Sequence, residues 1–385
     1  MNSESLSDLL SYIESENYKG WDPYDTLNSF VKFKFFGTFV AALAIQFQKR
    51  NPVNIRPLLG IKKGYNPKGI GLLLKAYCIL YSKTNNKGYL ERADYLFNWL
   101  KHNYSKGYSG YAWGYNFDWA SPGSYLKAYT PSVVVTSFVT DGIFEYYKIT
   151  NDSSAREILL SAANYIRNDI PRTDFPEGVC FSYTHTNTDC CYNASLLAAE
   201  VLARANSINP NSDDVCLVQK AVEFVISKQK TDGCWYYSFN PSTNTERKQI
   251  DFHQGFVLVS LYNIKKLVPL IQDAVDIAVV KGLEYYRKNQ FFSNGQSIWR
   301  IPKVWPVDIH NQSQGIITFT LLKEYDDKHM VFAGKISEWT INNMQSRKGY
   351  FYYKMYKNYK IRTPFMRWSQ AWMLLAFAEL MEEKS

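Results

Sequence analysis

Three stretches late in the chain share one pattern, a polar residue, a Gln and a small residue followed by an apolar run: HQGFVLVSL (253–261), SQGIITFTL (313–321) and SQAWMLLAF (369–377). Weaker copies precede them as PKGIGLLLK (67–75), TPSVVVTSF (130–138) and YNASLLAAE (192–200). Aligning Gly69, Ser132, Ala194, Gly255, Gly315 and Ala371 gives six copies with a period of about sixty residues, the signature of a repeat architecture. Runs such as 254–264 and 311–322 carry no charge, and a helix that is apolar on every side is one buried on every side. Six inner helices are therefore expected, beginning near residues 67, 131, 192, 253, 312 and 368.

Between them the pattern becomes one-faced. Ala155, Ile158, Leu159, Ala162 and Ile166 in one segment, and Val215, Val218, Val222 and Val225 in another, recur in steps of three and four, which marks amphipathic outer helices. Others are legible at 5–16, 88–103, 273–290 and 329–345. A third element follows: GYAWGY (110–115), GVCFSY (178–183), GCWYYS (233–238), GQSIWR (295–300) and GYFYYK (349–354), with KGWDPYD (19–25) as a degenerate first copy. Each reads as a helix-ending C′ glycine and then an alternating aromatic run suited to a short strand or extended loop.

Outer helix, glycine-aromatic segment and inner helix, repeated six times, describe an all-α (α/α)6 toroid with short extended segments at one mouth. Residues 26–66 read as an insertion with one extra helix near 30–48. The last helix, ending near Glu383, is expected to close the ring against the first. No linker is visible, so residues 1–385 read as a single domain.

Composition narrows the function. Tyr, Phe and Trp number 30, 23 and 10, or 16% of the chain, and these rings supply core and sugar platforms alike. The net charge is +9, from 44 Lys and Arg against 35 Asp and Glu, which favours an anionic partner. Nucleic acid is disfavoured, because the basic residues are scattered and no known reading motif is present. The N-terminus shows no basic-then-apolar signal pattern and no stretch is apolar enough to span a membrane, so a cytoplasmic location is expected. The six cysteines (78, 180, 190, 191, 216 and 234) lack C-x-x-C spacing and read as buried thiols; neither a metal nor a cofactor is expected.

The stretch QKTDGCWYYS (229–238) resembles the Q-x-x-x-G-x-W turn of terpene cyclase and prenyltransferase toroids, and the six-fold repeat equally resembles the six-hairpin glycosidase class. RPLLGIKKGYNPKGIGLLLKAY (56–77), DFHQGF (251–256) and DIHNQSQGI (308–316) look like a toroid family found with surface-polysaccharide assembly genes, which implies a glycan context. The D-x-D-D acid that the cyclase resemblance would imply is absent. The Asp, Cys and His zinc ligands of protein prenyltransferases do not match Asp189, Cys190 and His253 in spacing.

In a toroid of hairpins the inner-helix N-termini and the glycine-aromatic loops converge on one mouth. Asp251/His253 and Asp308/His310 repeat an Asp-x-His there and are the candidate catalytic residues. An Asp before a helix caps its first turn, whereas imidazole has no such advantage and titrates near neutrality, as proton transfer requires. Candidate substrate-binding residues are Trp113, Asp118, Trp119, His185, Asp189, Trp235, Gln254, Arg300, Trp305, Gln314, Arg362, Arg367 and Trp368. Gln254, Gln314 and Gln370 occupy aligned positions, where an inter-helix hydrogen bond is the competing role. Two chemistries fit an oligo- or polysaccharide substrate, particularly an anionic one. Glycoside hydrolysis would pair Asp251 with Asp308 or Asp118. Lyase or C5-epimerase chemistry would use His253 or His310 as base, with Arg300 or Arg367 neutralising a uronate. A non-catalytic glycan-binding component and a prenyl- or terpenoid-binding toroid are the alternatives, and the oligomeric state is open.

Overall fold

The computed structural model describes residues 3–121, 124–186 and 188–382, so Glu383, the expected end of the last helix, lies outside the described residues. The inner helices are α3 (Pro67–Thr84), α5 (Val133–Thr150), α7 (Tyr192–Ile208), α9 (His253–Leu267), α11 (Ile309–Leu321) and α13 (Ala371–Leu380). Each packs on the next, and α13 returns to α3, closing the ring. The outer helices are α1 (Ser3–Ser15), α4 (Lys87–His102), α6 (Ser153–Asn168), α8 (Ser212–Ser227), α10 (Gln272–Asn289) and α12 (Lys328–Met344). The fold is the expected (α/α)6 toroid. Closure of the outer layer is polar: Ser5 Oγ donates to Gln345 Oε1 at 2.5 Å, and Gln345 Nε2 returns a bond to the Ser5 carbonyl at 3.0 Å.

The inner helices are buried almost all round, as their uncharged runs require. In α9, Gly255, Phe256, Val257, Leu258, Leu261 and Ile264 are all buried. Several charges that enter the ring are paired. Lys75 of α3 meets Asp141 of α5 at 2.9 Å, and Arg204 meets Glu200 within α7 at 3.0 Å and Asp141 at 3.6 Å.

One hydrogen bond recurs from repeat to repeat. A backbone N–H in each glycine-aromatic segment donates to a polar side chain in the first turn of the following inner helix: Trp113 to Thr136, Phe181 to Ser195, Trp235 to Gln254, Ser297 to Gln312 and Phe351 to Gln370. The acceptor in the fifth copy is thus Gln312. Gln314, aligned with Gln254 by its Gln-Gly pair, bonds instead to Thr318 Oγ1, because DIHNQ holds one more residue between Asp and Gln than DFHQ.

The segment glycines also differ from a simple helix stop. The outer helices end several residues earlier, at Ser227 and Met344 for example, and the glycines then pack against the carbonyls of the next outer helix. Gly233 has φ +97°, and a Cβ there would lie 2.3 Å from the Lys281 carbonyl oxygen of α10. Gly233→Ala should therefore cost roughly 2–4 kcal/mol, combining left-handed strain with overpacking. Urea unfolding of the variant measures it, and an unchanged midpoint would contradict this packing role.

The segment 26–66 carries the extra helix as α2 (Thr38–Arg50), shorter and later than expected. Gly37, at φ +89°, separates it from a 3-10 turn over Phe33–Phe36. Short strands gather at the mouth: Val307–Asp308 pairs with Lys354–Met355, which pairs with Lys360–Ile361. Cys190–Cys191, Ser238–Asn240 and Thr245–Arg247 form a second sheet. Trp119–Ser121 and Ser124–Leu126 make a hairpin beside α2.

Candidate active site at the toroid mouth

The two Asp-x-His copies start out alike and end up different. In both, the Asp carboxylate accepts the backbone N–H of the His two residues on, His253 at 3.2 Å and His310 at 3.1 Å, so both cap the start of an inner helix. Asp251 Oδ1 also meets His253 Nδ1 at 2.5 Å, while its Oδ2 accepts from Gln249 Nε2 at 2.7 Å and faces Arg300 Nη2 at 3.4 Å. Burial of Asp251 would raise its pKa, but the His253 ring, the His253 N–H and Arg300 together hold it below the usual carboxylate range. The carboxylate therefore stays ionised and fixes the imidazole with Nδ1 inward. Among the described residues nothing hydrogen-bonds His253 Nε2, and the side chain keeps 21% of its surface open.

Asp308 has no such bond to its histidine. Its Oδ1 accepts the Trp368 indole N–H at 2.9 Å and its Oδ2 lies 3.2 Å from Lys354 Nζ. The carboxylate is consumed in holding the wall of the mouth. His310 is buried, and among the described residues neither ring nitrogen has a hydrogen-bond partner. Its ring is boxed by Phe252, Trp368 and Trp372, with centroids 4.5, 4.6 and 4.7 Å away. Burial, together with the cations of Lys68, Arg367 and Lys354, holds its pKa well below the ordinary histidine range, so this ring is neutral. Phe252 stacks on His253 at 4.3 Å and also touches His310 at 4.5 Å, so one phenyl ring contacts both imidazoles.

Trp372 Nε1 and Gln314 Oε1 are likewise buried without partners, and both residues line a cavity in the ring together with Phe256. That space is about 30 Å³, the size of one water, and neither His253 nor His310 lines it. Lys68 adds an amine, 4.1 Å from the Phe138 ring centroid and 5.4 Å from that of Trp372. Burial and then the Arg367 charge push its pKa well below the ordinary lysine range. Arg367 is itself held by Asp22 through two bonds of 2.6 and 2.8 Å, both groups being buried.

The structure thus brings together Asp251, His253, Asp308, His310, Arg300, Arg367 and Trp368. Arg367 is engaged by Asp22, and Arg300 lies over the Trp299 ring with its Nε buried and unpartnered. Trp113 and Trp235 are buried, each donating its indole N–H to a carbonyl at the end of the preceding outer helix, Leu100 and Val225. Gln254 bonds the Trp235 segment. Asp118 accepts from Tyr125 Oη and from the Ala128 N–H, which shapes the hairpin on which Trp119 is 36% exposed. His185 packs edge-on to Tyr108, and Asp189 accepts the Tyr183 N–H at 3.2 Å. Trp305 is half-buried against the core, and the exposed Arg362 lies over Tyr352.

Sequence reasoning did not single out Asp22, Lys68, Lys354, Phe252 or Trp372. Lys68 left a trace, a cation where the aligned positions of the other copies hold Pro131, Asn193, Gln254, Gln314 and Gln370; pairing of Asp22 with Arg367 joins residues from opposite ends of the chain and left none. Among the described residues no group of three or more His, Cys, Asp or Glu could hold a metal ion. No helix of the described residues is long and apolar enough to cross a membrane.

No family model matches the sequence, and no curated protein matches it. Solved structures do. A cellobiose 2-epimerase from Bacillus thermoamylovorans superposes with a TM-score of 0.68 over 99% of this chain and 100% of its own, at 13% identity. A GH76 alpha-mannanase from Bacteroides thetaiotaomicron gives 0.61 over 82% and 86%, also at 13%. A family 105 glycoside hydrolase from C. acetobutylicum gives 0.60 over 81% and 93%, again at 13%. At these identities the likeness is one of fold, the toroid of six helical hairpins.

Proposed function

We propose that this protein is a carbohydrate-active enzyme that moves a proton at a carbon next to a sugar carbonyl or uronate carboxylate, as an epimerase, isomerase or lyase. The observation that carries the reading is the Asp251–His253 pair, a buried carboxylate 2.5 Å from Nδ1 that leaves Nε2 free at the mouth. An imidazole oriented in this way is a general base, and its carboxylate partner stabilises the imidazolium formed when it accepts a proton. His310, neutral and buried beside it, can donate its one ring N–H to polarise the adjacent oxygen. Arg300, on the same carboxylate as His253, neutralises negative charge developing on the substrate.

Hydrolysis is less well supported, because it needs one carboxylic acid free to protonate the leaving oxygen and a second carboxylate facing it. Asp251, Asp308 and Asp118 are all committed to cations, indole or backbone. The epimerase among the structural neighbours fits the proton-transfer reading, and the hydrolases share its toroid. An anionic glycan, a role in surface-polysaccharide assembly, a cytoplasmic location and a single domain over 1–385 with its insertion at 26–66 belong to the same proposal.

The test is a product survey. The purified protein is incubated with free aldoses, disaccharides and uronate oligosaccharides, and products are followed by NMR. The expected result is a changed configuration at one carbon, or an unsaturated uronate. New reducing ends without unsaturation would transfer the protein to the hydrolases, and binding with no turnover of any member would make it a glycan-binding component.

A further inference from the structure

The insertion turns its larger apolar side chains outward. On α2 the small residues Ala41 and Ala42, with Ile45, face inward, while Phe39, Leu43 and Phe47 are exposed, Phe47 by 67%. Phe35 and Phe36 in the preceding turn continue the same exposed surface, Phe35 by 86%. Residues three and four apart share a helix face, so Phe39, Leu43 and Phe47 form one stripe.

The charge around this stripe has one sign. From Thr26 to Leu90 the chain holds no Asp or Glu. Arg56 is paired with Asp25 and Lys63 with Glu16. The exposed Lys32, Lys34, Arg50 and Lys62 have no carboxylate partner among the described residues, while Lys49 turns inward to Tyr24. An apolar helix face rimmed by unopposed cations is the composition of an element that lies in the headgroup layer of an anionic membrane, with its rings in the acyl boundary.

We propose that the 30–62 segment docks the protein peripherally on an anionic phospholipid surface. A second copy is a poorer occupant, since an isologous contact would set four unpaired cations against the same four. Aliphatic Leu43 and Leu58 beside the phenyl rings suit hydrocarbon. The insertion also adjoins the mouth: Lys49 Nζ lies 2.5 Å from Tyr24 Oη, and the Tyr24 ring is 5.7 Å from that of Trp368. Docking therefore brings the mouth to the level of the headgroups. This inference stands apart from the chemistry proposed for His253.

The experiment is co-sedimentation of the full chain with vesicles of phosphatidylcholine alone or mixed with phosphatidylglycerol. The expected result is at least a tenfold preference for the mixed vesicles, lost in high salt. Phe39→Ser/Leu43→Ser/Phe47→Ser and Lys32→Glu/Lys34→Glu/Lys62→Glu should each reduce binding tenfold or more, with circular dichroism and melting unchanged because all six side chains face solvent. Failure of the wild type to sediment with mixed vesicles overturns the proposal, as does undiminished binding by both variants. Dimerisation abolished by the Phe/Leu variant, without vesicle binding, would give the patch to a second copy instead. Binding only to an added acidic protein would give it to that class of partner.

Discussion

His253→Gln is expected to reduce turnover on an identified substrate by a factor of roughly 10²–10⁴ while leaving the fold intact, the range ordinarily lost with a general base. Gln preserves a hydrogen-bonding group toward Asp251 and removes the titrating nitrogen. The side chain is partly open and its backbone N–H bond to Asp251 is untouched, so melting should shift little. Asp251→Asn should reproduce most of the loss, since Asn still caps the helix but cannot balance an imidazolium. Asp308→Asn should behave differently. It keeps the cap, leaves buried Lys354 without its counter-ion, and acts on stability more than on chemistry. Steady-state kinetics beside urea titrations separate the three. Equal losses of activity for Asp251→Asn and Asp308→Asn at equal stability would deny the two copies distinct roles.

The second large effect is structural. Asp22→Ala leaves the Arg367 guanidinium buried beneath the mouth with nothing to balance it, and breaking one side of a buried ion pair costs on the order of 3–5 kcal/mol. The pair ties the first glycine-aromatic segment to the start of the last inner helix, so its loss opens the ring at its seam. Thermal and urea unfolding measure it. Replacing both partners by apolar residues of similar volume should recover much of the loss. A single variant as stable as the wild type would show that another contact holds the seam.

The toroid could be read from the chain because each inner helix must be uncharged and each outer helix one-faced, and those two patterns alternate six times. What the alignment missed was local register. Matching Gln-Gly pairs placed Gln314 where Gln312 does the bonding, since only the backbone N–H of Ser297 decides which of the two side chains is needed. The Asp-x-His motif marked the mouth, but its two copies share their Asp and His and diverge through neighbours. Asp251 gains Gln249 and Arg300 and keeps its histidine; Asp308 gains Trp368 and Lys354 and does not. Of those neighbours Arg300, Lys354 and Trp368 come from other repeats, and no periodicity within one repeat encodes them. The same holds for Phe39, Leu43 and Phe47, whose spacing marks an amphipathic helix without saying that its apolar face points outward.

The central claim is proton transfer through His253, and solvent exchange reads it directly. The wild-type protein, incubated in D₂O with a sugar or uronate that it turns over, should strip the proton from the carbon beside the carbonyl or carboxylate, leaving deuterium there in an epimer or isomer and unsaturation in a lyase product, seen as loss of that proton's NMR signal. His253→Gln should leave the signal intact over the same period. Conversion of substrate by the wild type with that proton retained in the product, or its loss with His253→Gln at the wild-type rate, would contradict the account.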